Sequence, residues 1–300
     1  MEKKEKDIRV ELFRVEENIH PFVMVDYVDK DAQEHSGLML LDSGSAVNLL
    51  SNDMADQIGM LCKVEDETTT LYAFSPETMD TDVVRFSFAL GGIQFHDTFS
   101  LCTRPLPVHV EGMNVIGLLG VSFMQQHRLV IDYSDFTLHT SDVNPRNLCI
   151  SDCEFFFPMK LGIKYYEVPV TWVKQNGNDL VALVDTGAFE NMITEHALTE
   201  NAFKCQRTDD KHFIYDIIGE FEVEEASVRF KMVSIGNNRT FEQVKYDRFA
   251  VVPYDIEVGG CDENGEQIPP IEILIGSYFM ALEGWTLDFG AEIIYKRIAA

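Results

Sequence analysis

The sequence has few cysteines, no long apolar run and no apolar leader, and these absences exclude several classes of protein. Its six cysteines form no CxxC pair and no evident disulfide framework, so we expect them to be reduced. No apolar run approaches the roughly 18 residues of a membrane span, and the charged first residues lack the apolar core of a signal peptide. We therefore expect a cytoplasmic monomer that contacts no membrane, or an exported protein if a leader has been removed.

Positive charge is also scarce. The chain has 24 Lys and Arg against 50 Asp and Glu, which gives a formal net charge of -26. Such a charge repels nucleic acid and excludes it as a partner, although surplus acidic residues can also serve only to keep a surface soluble. The eight histidines are scattered without the spacing of metal ligands. We expect neither a metal nor a cofactor.

What the sequence does contain is an internal repeat. Residues 38–58, LMLLDSGSAVNLLSNDMADQI, align with residues 181–201, VALVDTGAFENMITEHALTEN. Each segment is typical of an apolar strand, a tight Asp-Ser/Thr-Gly turn and a short apolar, helical stretch. This repeat is the first indication that the 300 residues hold two similar halves.

Further landmarks recur in the same order after each of these turns. Tyr72 and Tyr215 each follow the Asp of their turn by 30 residues. A hydrophobic-hydrophobic-Gly segment closes each half, at 118–120 and at 274–276. Because the order and spacing agree, duplication of one ancestral unit explains the pattern better than coincidence.

The remaining pattern predicts a mostly β protein. Short β-rich runs separated by hairpin signals such as Gly91-Gly92 dominate, and helical periodicity is strong only after each Asp turn and each closing glycine. We predict two lobes related by a pseudo-twofold axis, each a small closed β-barrel with one or two short helices. The polar, aperiodic residues between the halves place the lobes at 1–146 and 147–300.

The two turns, Asp42-Ser43-Gly44-Ser45 and Asp185-Thr186-Gly187-Ala188, carry the candidate chemistry. One Asp-Ser/Thr-Gly turn is weak evidence for catalysis, since this tripeptide occurs by chance in roughly one chain in seven of this length. Two turns at equivalent ends of apolar strands are a stronger signal. If the lobes bring the carboxyls together, the pair shares one proton. The ionised member can then activate a water, and the protonated member can donate to the oxygen of a scissile peptide bond.

With these turns and closing segments, nearly the whole chain resembles the aspartic peptidases, of both the pepsin type and the retroviral type. The resemblance implies that Asp42 and Asp185 are catalytic and that an extended peptide or protein substrate binds between the lobes without a metal or cofactor. It implies that Ser43 and Thr186 link the two turns by hydrogen bonds across the lobes. By the same resemblance, the residues that support the turns are Ser43, Gly44, Ser45, Thr186, Gly187, Ala188, Gly120 and Gly276.

The family also has a β-hairpin, the flap, that closes over the substrate. Tyr72, Phe74 and Tyr215 lie at the corresponding positions, as substrate contacts or as ordinary strand aromatics. The first of these segments, 72–76, lacks the glycines of a retroviral flap. This departure keeps open an alternative function, a catalytically weak or inactive peptide-binding protein on the same fold.

One difference between the turns predicts an asymmetry. Ser45 has a hydroxyl where Ala188 has none. An additional hydrogen bond from this hydroxyl would lower the pKa of the nearby carboxyl. We therefore expect Asp42 to be the more acidic member of the pair.

Overall fold

Three β-sheets make up most of the chain, which confirms the prediction of a mostly β protein. The structure is a computed structural model. It describes residues 7–15, 18–54, 62–72, 78–102, 104–142, 153–162, 166–175, 178–201, 203–217, 219–230, 246–253, 256 and 269–297. The predicted boundary between residues 146 and 147 and the flap candidate Phe74 lie outside these residues, and so does the side chain of Tyr72.

The first eight-stranded sheet comes from the first half of the chain. Its strands are β2 (Phe13–Val15), β3 (Asn18–Val28), β4 (Glu34–Leu41), β5 (Leu49–Ser51), β6 (Cys62–Tyr72), β7 (Thr78–Leu90), β8 (Ile93–Cys102) and β9 (Val115–Leu119). They lie in the order β2-β3-β4-β9-β5-β8-β7-β6. Consecutive strands of the hairpins are antiparallel, whereas β4 runs parallel to β9 and β5 runs parallel to β8.

The second eight-stranded sheet comes from the second half and repeats this order. Its strands are β13 (Lys160–Gly162), β14 (Tyr166–Gln175), β15 (Asn178–Asp185), β16 (Asn191–Thr194), β17 (Lys204–Tyr215), β18 (Glu220–Arg229), β19 (Tyr246–Val252) and β20 (Ile273–Gly276). They lie in the order β13-β14-β15-β20-β16-β19-β18-β17. Each strand of the first sheet therefore has a counterpart in the second, and β15 runs parallel to β20 as β4 runs parallel to β9.

A six-stranded sheet joins the two halves. Its strands are β1 (Arg9–Glu11), β10 (Leu129–Asp132), β11 (Thr137–Thr140), β12 (Cys153–Pro158), β21 (Thr286–Asp288) and β22 (Ile293–Arg297), in the order β1-β11-β10-β21-β22-β12. The halves meet where β10 pairs with β21, for example at Ile131 and Leu287. The short helices that the structure describes in full are α1 (Val121–Gln126), α2 (Glu195–Glu200) and α3 (Ser277–Glu283).

A closed barrel in each half stays a prediction. In the described residues no pairing joins the end strands of either eight-stranded sheet, and one additional pairing in the first sheet, between Asp26 of β3 and Ala89 of β7, links two strands that are not neighbours in the sheet order. Among the described pairings, the outer strands β6 and β17 pair only with their own hairpin partners, β7 and β18. Each sheet therefore ends in a long two-stranded hairpin.

One apolar core runs through both halves. The alternating pattern of β7 directs Val84, Phe86 and Phe88 inward, where they are at most 3% exposed. They belong to the same buried cluster as Phe279 and Trp285 of the second half. Among the described residues, no helix is long and apolar enough to cross a membrane.

Candidate active site

The two Asp turns lie where a buried strand of each half ends. Leu38 to Leu41 of β4 are fully or almost fully buried, and the backbone N–H of Asp42, which follows them, donates to the carbonyl of Leu119 at 3.0 Å. Asp185 ends β15 and lies opposite Gly276 in the parallel pairing with β20. The same local pattern thus places one carboxyl at the end of a rigid central strand in each half.

The carboxyls of Asp42 and Asp185 lie against each other and are hydrogen bonded. A side-chain carbon added at Gly44 would overlap the carboxylate of Asp185, and one added at Gly187 would overlap that of Asp42. Each glycine is therefore required because the opposite carboxyl occupies the space of a side chain. Asp185 is 2% exposed, whereas Asp42 is only partly buried.

Ser43 and Thr186 connect the two turns through four buried hydrogen bonds. The N–H of Ser43 donates to Oγ1 of Thr186 at 2.9 Å, and the N–H of Thr186 donates to Oγ of Ser43 at 2.9 Å. The Ser43 hydroxyl donates to the carbonyl of Val184 at 2.6 Å, and the Thr186 hydroxyl donates to that of Leu41 at 2.6 Å. Links of this kind were implied by the resemblance, and they hold the two turns in one geometry.

Two asparagines that the sequence reasoning missed support the closing segments. Oδ1 of Asn48 accepts from the N–H of Gly120 at 2.9 Å, and Oδ1 of Asn191 accepts from that of Gly276 at 2.9 Å. Both asparagines are at most 4% exposed. The signal was available, because each lies six residues after the Asp of its turn.

The closing segments also pack tightly beneath the turns. A side-chain carbon at Gly120 or Gly276 would overlap backbone carbonyls of the neighbouring turn. The next residue in each half donates to the turn itself, Val121 to the carbonyl of Ser45 at 2.8 Å and Ser277 to that of Ala188 at 2.8 Å. The turns are therefore fixed from below as well as to each other.

Burial controls the electrostatics of the pair. It raises the pKa of Asp42 well above the ordinary value, and the charge of Asp185 raises it further. Burial also raises the pKa of Asp185, but the N–H groups of Gly187 and Ala188 donate to its Oδ1, at 2.8 and 3.1 Å, and oppose this rise. Asp42 likewise accepts from the N–H groups of Gly44 and Ser45, but the N–H of Gly44 also acts on Asp185. The pair thus favours a single shared proton, and the additional donor favours Asp185 as the ionised member.

The hydrogen bond behind the expectation that Asp42 is the more acidic member is not formed. The expectation rested on a hydrogen bond from Ser45, but the Ser45 hydroxyl donates to the carbonyl of Val47 at 2.7 Å. The short N–H contact to the Asp42 carboxyl comes from Gly44, at 2.8 Å. The spacing of residues could not give the direction of this hydroxyl, which depends on a side-chain rotamer.

The hairpin of β17 and β18 reaches across to the first half. Tyr215, at the end of β17, is 60% exposed. Two residues later, Ile217 packs on a buried apolar cluster of the first half that includes Leu40, Leu71 and Leu118. Tyr215 of this hairpin was predicted as a substrate contact and Ile217 was not, although an apolar residue at the tip of a turn is a usable signal.

Neither the scan against protein-family models nor the search of curated proteins found a match to this chain. Among the described residues, no group of three or more His, Cys, Asp or Glu side chains is arranged to hold a metal ion. The chemistry of the site is therefore argued from its geometry.

The raised pKa of Asp42 makes a prediction about stability. A group whose pKa is raised by folding stabilises the fold at low pH, and this contribution is lost as the pH rises above the ordinary value of 3.8. Asparagine at this position cannot ionise. The free energy of unfolding of Asp42→Asn, measured by urea denaturation and compared with the wild type, should therefore become relatively larger between pH 4 and 7.

Asp29 provides a control of opposite sign. It is partly exposed, and the N–H of Gln33 and the side chain of His35 lower its pKa. Asp29→Asn should therefore lose stability relative to the wild type as the pH rises towards the ordinary value of 3.8, and the difference should be constant at higher pH. If the difference in the free energy of unfolding between Asp42→Asn and the wild type did not vary with pH, this result would contradict a buried pair that shares a proton.

Proposed function

We propose that this protein is an aspartic endopeptidase with the two-lobed fold of that family, its lobes at 1–146 and 147–300. The observation that carries the proposal is the contact between Asp42 and Asp185, which end counterpart strands of the two halves and are held together by hydrogen bonds between their turns. Two carboxyls in contact share one proton, which is the state that peptide hydrolysis by such a pair requires.

The polarity of the site gives each carboxyl a role. Asp185, as the ionised member, takes a proton from a water held between the carboxyls, and this water attacks the carbonyl carbon of the peptide. Asp42, as the protonated member, donates its proton to the carbonyl oxygen. The roles then exchange as the tetrahedral intermediate collapses and the amine leaves protonated. All of the protons in this cycle are moved by the two carboxyls.

Two apolar clusters beside the carboxyls support an extended peptide as the substrate. Along β4 and β9, Leu40 and Leu118 belong to one of these clusters, whereas the neighbouring Leu41 and Leu119 face the central core. The counterparts Leu183 and Leu274 belong to the second cluster, in the other half. An extended peptide alternates its side chains between two sides, so we expect a preference for apolar residues on both sides of the bond that is cut.

The hairpin of β17 and β18 is the proposed cover of this cleft. Ile217 at its tip packs on the apolar cluster of the first half. A peptide that occupies this cluster must displace Ile217. We therefore expect the hairpin to open before the substrate binds and to close over the bound peptide.

Incubation with a mixed peptide library tests the proposal directly. Cleavage should occur on the acidic side of neutrality, within about pH 3–7, because the pair must keep one proton. A statine-type inhibitor, which mimics the tetrahedral intermediate, should stop it. Peptides that bind without being cleaved at any pH in this range would instead support a peptide-binding protein on the same fold.

A further inference from the structure

His20 of β3 contacts the Asp turn of the other half. Its Nε2 lies 3.0 Å from the carbonyl oxygen of Gly187. A carbonyl oxygen only accepts, so Nε2 carries the hydrogen. The imidazole is 8% exposed and lies between the rings of Phe22 and Phe189, with centroid distances of 6.1 and 5.8 Å. The contact therefore joins two halves of the molecule in a buried, mainly aromatic environment.

The carbonyl that His20 holds belongs to a peptide unit that also contacts the catalytic pair. The C=O of Gly187 and the N–H of Ala188 are the two ends of one peptide group, and this N–H donates to Oδ1 of Asp185 at 3.1 Å. Hydrogen bonds in a chain polarise one another. A donor on the carbonyl therefore makes the N–H a better donor to the carboxylate, and it also fixes the orientation of the peptide group.

The second half has no equivalent of this donor. His20 and Val168 occupy matching positions, and each is followed by a proline. Two residues after His20, Phe22 pairs with Leu40, and two residues after Val168, Val170 pairs with Leu183. Leu40 and Leu183 are equivalent, because each lies two residues before the Asp of its turn. Valine has no N–H in its side chain. At these two matching positions, only the one next to the Asp185 turn carries a side-chain donor.

We propose that His20 is a positioning residue that breaks the symmetry of the pair, because it directs the Gly187–Ala188 peptide group so that Asp185 is the ionised carboxyl and Asp42 the protonated one. The proposal rests on the proposed function only as far as turnover is concerned. The hydrogen bonds from His20 to Gly187 and from Ala188 to Asp185 do not depend on turnover.

The groups around the pair are compatible with this role at the pH where the site should work. Burial lowers the pKa of His20 to about 4, so the ring is neutral above that pH. Tyr133, a buried phenol, is another titratable group near Asp185, and burial and the Asp185 charge raise its pKa well above the ordinary value. Tyr133 therefore stays neutral, and His20 acts as a hydrogen-bond donor without a charge.

The test measures the titration of the two carboxyls, so it does not depend on turnover. Carbon-13 NMR of the aspartate side chains follows the titration of Asp42 and Asp185 in the wild type, in His20→Val and in His20→Gln. His20→Val, which copies the residue of the second half, should raise the lower of the two apparent pKa values by about half a unit. His20→Gln retains an N–H near the position of Nε2 and should restore most of the wild-type value.

A second readout uses the wild-type protein, in case His20→Val does not fold. The amide proton of Ala188 should resonate downfield of that of Ser45, its counterpart in the other turn, because only the former belongs to a polarised peptide group. Equal shifts of the two amides, or unchanged carboxyl titration in a folded His20→Val, would overturn the proposal. If the expected shifts occur in a protein that cleaves no peptide, the proposed function fails and the role of His20 stands.

Discussion

Asp185→Asn and Asp42→Asn should each lower the rate of peptide hydrolysis by about 10²–10⁴-fold, the range over which a positioned acid or base contributes. Asparagine has nearly the same shape as aspartate but can neither accept a proton from water nor carry the shared one. Because each carboxyl has a different role in each step, loss of either one should be enough. Initial rates on one apolar peptide, measured for each variant and the wild type, check the expectation.

The controls separate lost chemistry from lost structure. Asp29→Asn removes a partly exposed carboxyl of the first half, outside the candidate site, and should leave the rate unchanged. Circular dichroism and urea denaturation should show that both dyad variants remain folded. Undiminished cleavage by a folded Asp42→Asn or Asp185→Asn would refute the assignment of the pair.

The second large effect concerns the link between the turns. Thr186→Val keeps the shape of the side chain but removes its hydroxyl, which accepts from the N–H of Ser43 and donates to the carbonyl of Leu41. Both backbone groups would then be buried without these partners. Since an unsatisfied buried group costs about 1–3 kcal/mol, the free energy of unfolding should fall by about 2–4 kcal/mol.

Thr186→Ser is the matched control, because it retains the hydroxyl and loses only a methyl group. It should keep most of the stability in the same urea titration. Ser43→Ala removes the corresponding hydroxyl of the other turn and should resemble Thr186→Val. A Thr186→Val protein as stable as Thr186→Ser would mean that the link between the turns contributes little to the fold.

The mostly β character of the fold and the position of the two turns could be predicted from the sequence, because both depend on local patterns. An apolar strand that ends in an Asp-Ser/Thr-Gly turn occurs once in each half, around Asp42 and around Asp185. The same comparison of the halves could also have found Asn48 and Asn191, which recur at the same distance from each Asp. Local repetition was the informative signal in every case.

The features that could not be predicted are contacts between distant parts of the chain. His20 meets Gly187 across 167 residues of sequence, and nothing near His20 distinguishes it from a histidine at the start of any strand. Ile217 packs on the opposite half for similar reasons. Such contacts follow from the arrangement of the lobes, which local propensity does not encode.

Both copies of the Asp turn lie on a single polypeptide, in two halves that are joined where β10 pairs with β21. The two copies are therefore encoded by separate codons, and a mutation in one leaves the other unchanged. A homodimer assembled around the same axis would gain or lose a histidine on both sides at once. On one chain the two turns can therefore have different neighbours, and the contrast between His20 and Val168 is one such difference.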